Sequence, residues 1–183
     1  MMAGLFAATL VGLLSAGGHV ATASQNAAAS DPALRAFIEQ TAREWPGESY
    51  QQSITVDSLV LLANAVTSLA QQKGILVPLA DDVALLRANV RDYQAGFPED
   101  DRQSARLRRT LVHASGLIQR LVAESSQERR AGDPALNALR RAADALDTEQ
   151  SLRRQPDVIE RFFGYAVTIL QRVDHAHVRP REV

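Results

Sequence analysis

The sequence predicts an all-α protein, an up-and-down bundle of about four to six helices that follows an N-terminal signal peptide. Three observations predict this fold class. Apolar residues recur at steps of three and four along most of the chain, which is the spacing of one helix face. Proline, glycine or a capping aspartate separates these periodic segments. No segment shows the sustained period-two alternation that indicates a β-strand.

The N-terminal segment has the features of an export signal. Residues 1–30 contain no charged side chain, and an apolar run from Leu5 to Leu14 precedes the small-residue step Ala21-Thr22-Ala23. A short apolar stretch that ends in Ala-x-Ala is typical of a secretory signal peptide. The usual basic residues before the run are missing, which a misassigned start codon explains. Retention as an anchor is the alternative, but the run is shorter than the roughly 20 residues that a spanning helix needs.

These features predict how the chain is divided. We expect residues 1–23 to be cleaved, with cleavage after Ala29 as the alternative, and residues 24–30 to form a flexible leader. Residues 31–173 are predicted to form the helical bundle and residues 174–183 a flexible C-terminal tail. The mature protein of about 155 residues has the size of one domain and is expected to be periplasmic or secreted.

The composition is that of a globular domain. Apolar residues make up 46% of the chain and charged residues 22%, which excludes a disordered chain and a membrane bundle. The chain has no cysteine, so its core must stabilise it without disulfides. The basic side chains are 19 arginines and the single Lys73. A GC-rich genome explains this usage, but arginine also offers planar, bidentate donors to an anionic partner.

The first two helices are bounded by clear signals. Asp31-Pro32 supplies a capping carboxylate and a proline at the first helical position, and Pro46-Gly47 ends the pattern. Thr55 is predicted to cap the second helix, which ends at Lys73-Gly74. The second helix is apolar nearly all round, so we expect it at the centre of the bundle. The periodic apolar residues of these helices are Leu34, Phe37, Ile38, Trp45, Leu59, Leu62, Val66 and Leu69.

The third and fourth helices each have an apolar face with steps of four and three. The third is predicted to start after Pro78 and to end before Pro98. The fourth begins at the acidic cluster Glu99-Asp100-Asp101 and ends at Gly132. Their apolar faces consist of Leu79, Val83, Leu86, Val90, Tyr93 and Phe97, and of Leu107, Leu111, Ala114, Ile118 and Leu121.

The last two helices complete the predicted bundle. Asp133-Pro134 repeats the opening of the first helix, and Pro156-Asp157 starts a final helix with a wide apolar face that is a second candidate for the bundle centre. Trp45, Phe162 and Phe163 are predicted to be the largest core side chains. Surplus apolar residues on the second and final helices can be buried in one bundle or shared across a homodimer.

Two glycines lie inside predicted helices. Gly116 and Gly164 each cost up to about 1 kcal/mol relative to alanine in a helix interior. Such a cost usually marks close contact between helices, which we expect at both positions. A ligand crevice is the alternative.

The two halves of the bundle carry opposite charge. Residues 31–101 contain 11 acidic and 5 basic side chains, whereas residues 102–183 contain 10 acidic and 15 basic ones. We therefore expect the halves to pack against each other. Nucleic acid is not an expected partner, because the acidic half would repel it.

The fourth helix carries the most distinctive group of side chains. Arg102, Arg106, Arg109, His113 and Arg120 are spaced by four, three, four and seven residues, which places them on one stripe away from the apolar face. Like charges at such spacing repel one another, so we expect anionic groups opposite the stripe.

Two interpretations of this arginine stripe remain open. In the structural one, acidic residues of the N-terminal half, or solvent and salt, compensate the charge. In the functional one, the stripe binds a carboxylate, a phosphate or an acidic partner through arginine forks, with His113 making the site pH-sensitive.

The C-terminal segment contains a weak candidate metal site. Asp174, His175 and His177 carry suitable ligand atoms, but imidazoles two residues apart share a face only where the backbone is extended. The site therefore requires the tail to leave the helix before Arg179-Pro180. In the alternative interpretation, the histidines interact with the negative helix end and are solvated.

The search for catalytic motifs gives no match to a phosphate-binding loop, a nucleophile elbow, a zinc-protease helix or a haem attachment site. No catalytic residue and no cofactor is predicted. The sequence favours an exported, non-enzymatic bundle that acts by binding or assembly in the cell envelope, with an envelope protein or a small anion as partner. An exported helical enzyme or small-molecule binder that holds an anionic ligand on the arginine stripe is the alternative.

Overall fold

The computed structural model describes residues 31–44, 50–96, 102–125 and 133–176. In these ranges the chain forms six α-helices and one short 3₁₀ helix, Leu152–Arg154, and contains no strand. The all-α fold class is thereby confirmed. The α-helices are α1 Pro32–Glu44, α2 Gln52–Gln72, α3 Leu76–Ala95, α4 Gln103–Ser125, α5 Pro134–Asp144 and α6 Pro156–His175.

The six α-helices form a closed ring, and three of them also contact one another across its centre. Each helix packs against the next along the chain, and α6 packs against α1. In addition α2, α4 and α6 contact one another, so these three long helices form the inner part of the bundle. The helices α1, α3 and α5 each lie against two of them from outside. The prediction of α2 and α6 as central helices is correct, and α4 joins them.

Contacts between helix ends show the up-and-down arrangement. Gln52, at the start of α2, donates a 2.9 Å hydrogen bond to the carbonyl oxygen of Gly96, just beyond the end of α3. Asp133, before α5, lies 3.3 Å from Arg172 near the end of α6. Neighbouring helices are therefore antiparallel, as short connections require.

The core is aliphatic with a small aromatic centre. Phe37 of α1 and Phe162 of α6 both pack edge-to-face on Phe163, with ring centroids 6.2 Å and 5.6 Å apart. Phe162 and Phe163 are fully buried, as predicted, whereas Trp45 lies outside the described residues. The predicted apolar stripes of α2, α3 and α4 are buried at every described position, and Phe97 falls outside the described ranges.

Helix α2 is also long and apolar enough to cross a membrane, judged by length and composition alone. More than half of its apolar window is buried inside the bundle. A core helix of this kind passes the same test as a membrane span, and the packing of α2 against α1, α3, α4 and α6 accounts for its apolar character.

Several predicted helix boundaries are confirmed by their caps. The Asp31 carboxylate is fully buried and accepts a 2.7 Å hydrogen bond from the backbone N–H of Leu34. Its second oxygen accepts hydrogen bonds from Ser68 and Gln72 at the end of α2. Asp133 caps α5 through the N–H of Ala135 at 2.9 Å.

Other predicted boundaries are wrong by a few residues. Helix α2 begins at Gln52, so Thr55 lies inside the helix and donates its hydroxyl to the Gln51 carbonyl instead of capping it. Helix α3 begins at Leu76, since Pro78 fits the first turn, where its missing N–H costs nothing. Helix α6 continues through His175 with Asp174 buried, so these residues belong to the bundle and not to a tail.

Replacing Asp31 with alanine should lower the free energy of unfolding by about 2 kcal/mol, because the change removes a helix cap and leaves two partners on α2 unsatisfied. The control Asp133→Ala removes a cap together with a partly exposed pair with Arg172 and should cost about 1 kcal/mol. Urea denaturation measures both. Equal losses in the two variants would show that the contacts of Asp31 with α2 add no more stability than the pair of Asp133 with Arg172.

Candidate binding groove over helix α4

The arginine stripe faces helix α3 across the α3–α4 contact. Asp92 of α3 pairs with both Arg109 and Arg106, the latter at 3.9 Å from Nε to Oδ1. Asp82, which lies nearer the start of α3 than Asp92, pairs with Arg120. Acidic residues of the N-terminal half therefore compensate part of the stripe, as the structural interpretation expected. These pairs are largely exposed, and each contributes about 0–1 kcal/mol.

The remaining two members of the stripe also lie at this contact. His113 is half-buried, and its Nε2 lies 3.2 Å from the backbone carbonyl oxygen of Asp82. Arg102 is exposed at the start of α4 and has an interaction partner of its own. The five residues thus share one side of α4, but none of them is aimed into an enclosed pocket.

A broad open groove runs along α4 beside the stripe. We define the α4 groove as the face of α4 from Ala105 to Arg120 together with Asp82, Leu85 and Asn89 of α3. Its volume is about 770 Å³. A smaller depression of about 330 Å³ continues it at the start of α4, where Asp92 lies among three arginines of the stripe.

The floor of the α4 groove is apolar. Leu85 is 49% exposed and Val112 is 41% exposed, although each lies in the middle of a helix. Ala105 and Gly116 complete the floor. Helical spacing places Arg108 on one side of this floor and His113 on the other. The result is an apolar strip with Arg108 on one side and the arginine stripe on the other.

Gly116 is not a point of close helix contact. A Cβ added there would meet no heavy atom within 4 Å, and the same holds for Gly164. Both glycines are exposed, so the expectation of close helix contact at these positions is wrong. Gly116 lines the α4 groove, which agrees with the crevice alternative, whereas Gly164 lies on the outer face of α6.

Sequence reasoning missed two residues of the groove. Arg108 directly precedes Arg109 but is not part of the predicted stripe, and it lines the groove on the side opposite the stripe. Leu85 lies between the buried positions of α3 in the sequence but is not part of the predicted apolar face. The available signal was the pair Val112 and Gly116, an apolar residue and a helix-weakening residue on the face opposite the apolar stripe.

A buried polar cluster fixes the end of α3 against the start of α4. The backbone carbonyl of Tyr93 accepts hydrogen bonds from the amides of Gln103 at 2.8 Å and Gln52 at 3.2 Å. The hydroxyls of Tyr50 and Tyr93 share a hydrogen bond. A Cβ at Gly96 would overlap the ends of the side chains of Gln103 and of one arginine of the stripe. This close approach holds the two helices in register.

The candidate metal site at the end of α6 requires an extended backbone, but the backbone at His175 is helical. Asp174 and His175 are helical, and His177 lies outside the described residues. In the described ranges, no three His, Cys, Asp or Glu side chains lie close enough together to hold a metal ion.

Comparisons of the chain with models of protein families, with curated proteins and with solved structures found no match. The functional interpretation therefore depends on the chemistry of the α4 groove.

The glycines give a direct test of the packing around the groove. Gly116→Ala and Gly164→Ala should each raise the free energy of unfolding by up to about 1 kcal/mol, since alanine favours the helix and meets open space. Gly96→Ala should lower it, because the new Cβ displaces the buried Gln103. Urea denaturation compares the three variants. A loss of stability in Gly116→Ala would show that the groove is closed in solution.

The tyrosine pair predicts a loss of stability at alkaline pH. Burial raises the pKa of Tyr93 and of Tyr50, so the folded protein disfavours a phenolate that the unfolded chain forms near pH 10. Stability should hold below about pH 10 and fall as the pH rises further. The double variant Tyr50→Phe/Tyr93→Phe should show a weaker decline in denaturant midpoint with pH. An identical decline in both proteins would contradict the burial of the pair.

Proposed function

We propose that this chain is an exported, non-enzymatic binding protein of the cell envelope, and that the α4 groove recognises an acidic segment of a partner protein. The observation that carries the proposal is an exposed apolar floor with basic side chains on both sides. Both features add little to the stability of the bundle, since Leu85 and Val112 remain about half-exposed and the partly exposed ion pairs of the arginines contribute about 0–1 kcal/mol each.

The charge around the groove favours an anionic partner. Between residues 103 and 123, α4 carries four arginines and one histidine but no acidic side chain. Two aspartates of the described part of α3, Asp82 and Asp92, face these four arginines and are fewer than them. The outer face of α6 is different, since Glu160 accompanies Arg161 there. An acidic segment would therefore select the α4 groove over that face.

Binding to a macromolecule fits the shape better than binding to a free small anion. Small-molecule sites are usually concave and bury most of the ligand. The α4 groove is open along its length, so it would cover one side of a ligand only. A segment of a partner protein can contact the whole groove on one side, while the rest of the partner covers its other side.

The test uses two synthetic peptides of about 18 residues with identical Glu, Leu and Ala composition, one patterned as an amphipathic helix and one scrambled. The full chain is exported and purified, and N-terminal sequencing should give Ser24 or Ser30. At least one peptide should bind, and Arg108→Glu should weaken its binding about tenfold, equivalent to 1.4 kcal/mol. High salt should weaken it as well.

The matched control for this charge reversal is Arg161→Glu, which changes the same charge on the outer face of α6. Fluorescence anisotropy with labelled peptide gives both dissociation constants. If neither peptide binds, or if the two variants lose affinity equally, the α4 groove is not the recognition surface.

A further inference from the structure

Resting on the proposed function, we infer that the partner segment is an amphipathic α-helix that lies along α4 and places a large apolar side chain over Gly116. Its acidic side chains lie toward its two ends. The proposal concerns the conformation and the side-chain pattern of the partner, which the charge of the groove alone does not determine.

The length of the groove sets the length of the partner helix. From Ala105 to Arg120 the floor of the groove spans about 22 Å, or four helical turns. Arg109 and Arg120 lie toward its two ends, about 16 Å apart along the axis. Each pairs with an aspartate of α3 but remains about half-exposed, so a second carboxylate can reach it. A partner helix that contacts both arginines therefore carries acidic residues about three turns apart. The side chains between them face the apolar floor.

The floor permits a helix to approach closely. Packed helices come within about 8–10 Å of each other, and the distance depends on the side chains at the contact. Ala105 and Gly116 present the smallest side chains on the outer face of α4, with Leu85 and Val112 beside them. Gly116 has no side chain, and a Cβ added there would meet no heavy atom within 4 Å, so a large apolar side chain of the partner can lie directly on the backbone of α4. This is how a ridge of one helix enters a groove of another.

An extended segment fits this surface less well than a helix. Extended peptides gain most of their affinity by adding a strand to an exposed sheet edge. The described ranges contain helices and turns only, so an extended segment would find no backbone partners there. A helix satisfies its own backbone hydrogen bonds and needs only side-chain contacts from the groove.

The experiment compares the patterned and scrambled peptides on the purified, exported chain. The patterned peptide should bind at least ten times more tightly than the scrambled one and should gain helical circular dichroism on binding. Gly116→Leu covers this part of the α4 backbone and should weaken binding of the patterned peptide at least tenfold. Gly164→Leu, the matched control on α6, should leave it unchanged. Urea denaturation verifies that both variants are folded.

The outcomes separate this inference from the proposed function. Equal affinity for the two peptides, with the loss in Arg108→Glu retained, would keep the acidic partner but overturn its helical conformation. Unchanged affinity in Gly116→Leu would overturn the placement over Gly116. Tighter binding of a free alkyl carboxylate such as decanoate, in competition with the peptide, would replace the helix with a lipid-like ligand. Failure of both peptides to bind would overturn the inference and the proposed function together.

Discussion

The mutual packing of three long helices is the constraint on which the rest of the structure depends. Because α2, α4 and α6 contact one another, each of them has one face turned away from the bundle centre, between two outer helices. Antiparallel neighbours and short connections then place α1, α3 and α5 outside. The side chains on the outward face of each inner helix decide whether that helix offers a binding surface. On α4 these are small, apolar or basic, and on α6 they carry both signs of charge.

Electrostatics connects this packing to function. The acidic N-terminal half meets the basic C-terminal half at the α3–α4 contact, where Asp82 and Asp92 hold one side of the arginine stripe. This pairing orders the arginines beside the groove and compensates part of their charge. In the proposed function this order favours the binding of an acidic partner, because the long side chains are already ordered on folding.

The sequence predicts the helices well because each depends on local chemistry. Asp31 and Asp133 each precede an apolar-periodic segment, and each caps the helix that this segment forms. The stripe of α4 follows from spacing alone, although its orientation toward α3 does not, since a stripe opposite the core can face solvent or a neighbouring helix. Gly116 shows the limit most clearly. Its cost is visible in the sequence, but only the arrangement of α3 and α4 shows that the space above it is open.

The accessibility of residue 116 tests the central claim most directly. The chain contains no cysteine, so Gly116→Cys and the control Gly164→Cys each introduce a single thiol that a maleimide can label. In the purified protein both thiols should react at similar rates. In intact cells that export the protein, the thiol at position 116 should react more slowly than the one at 164, because a partner covers the α4 groove. Equal rates in the cell, or slow reaction at 116 in the purified protein, would contradict the account.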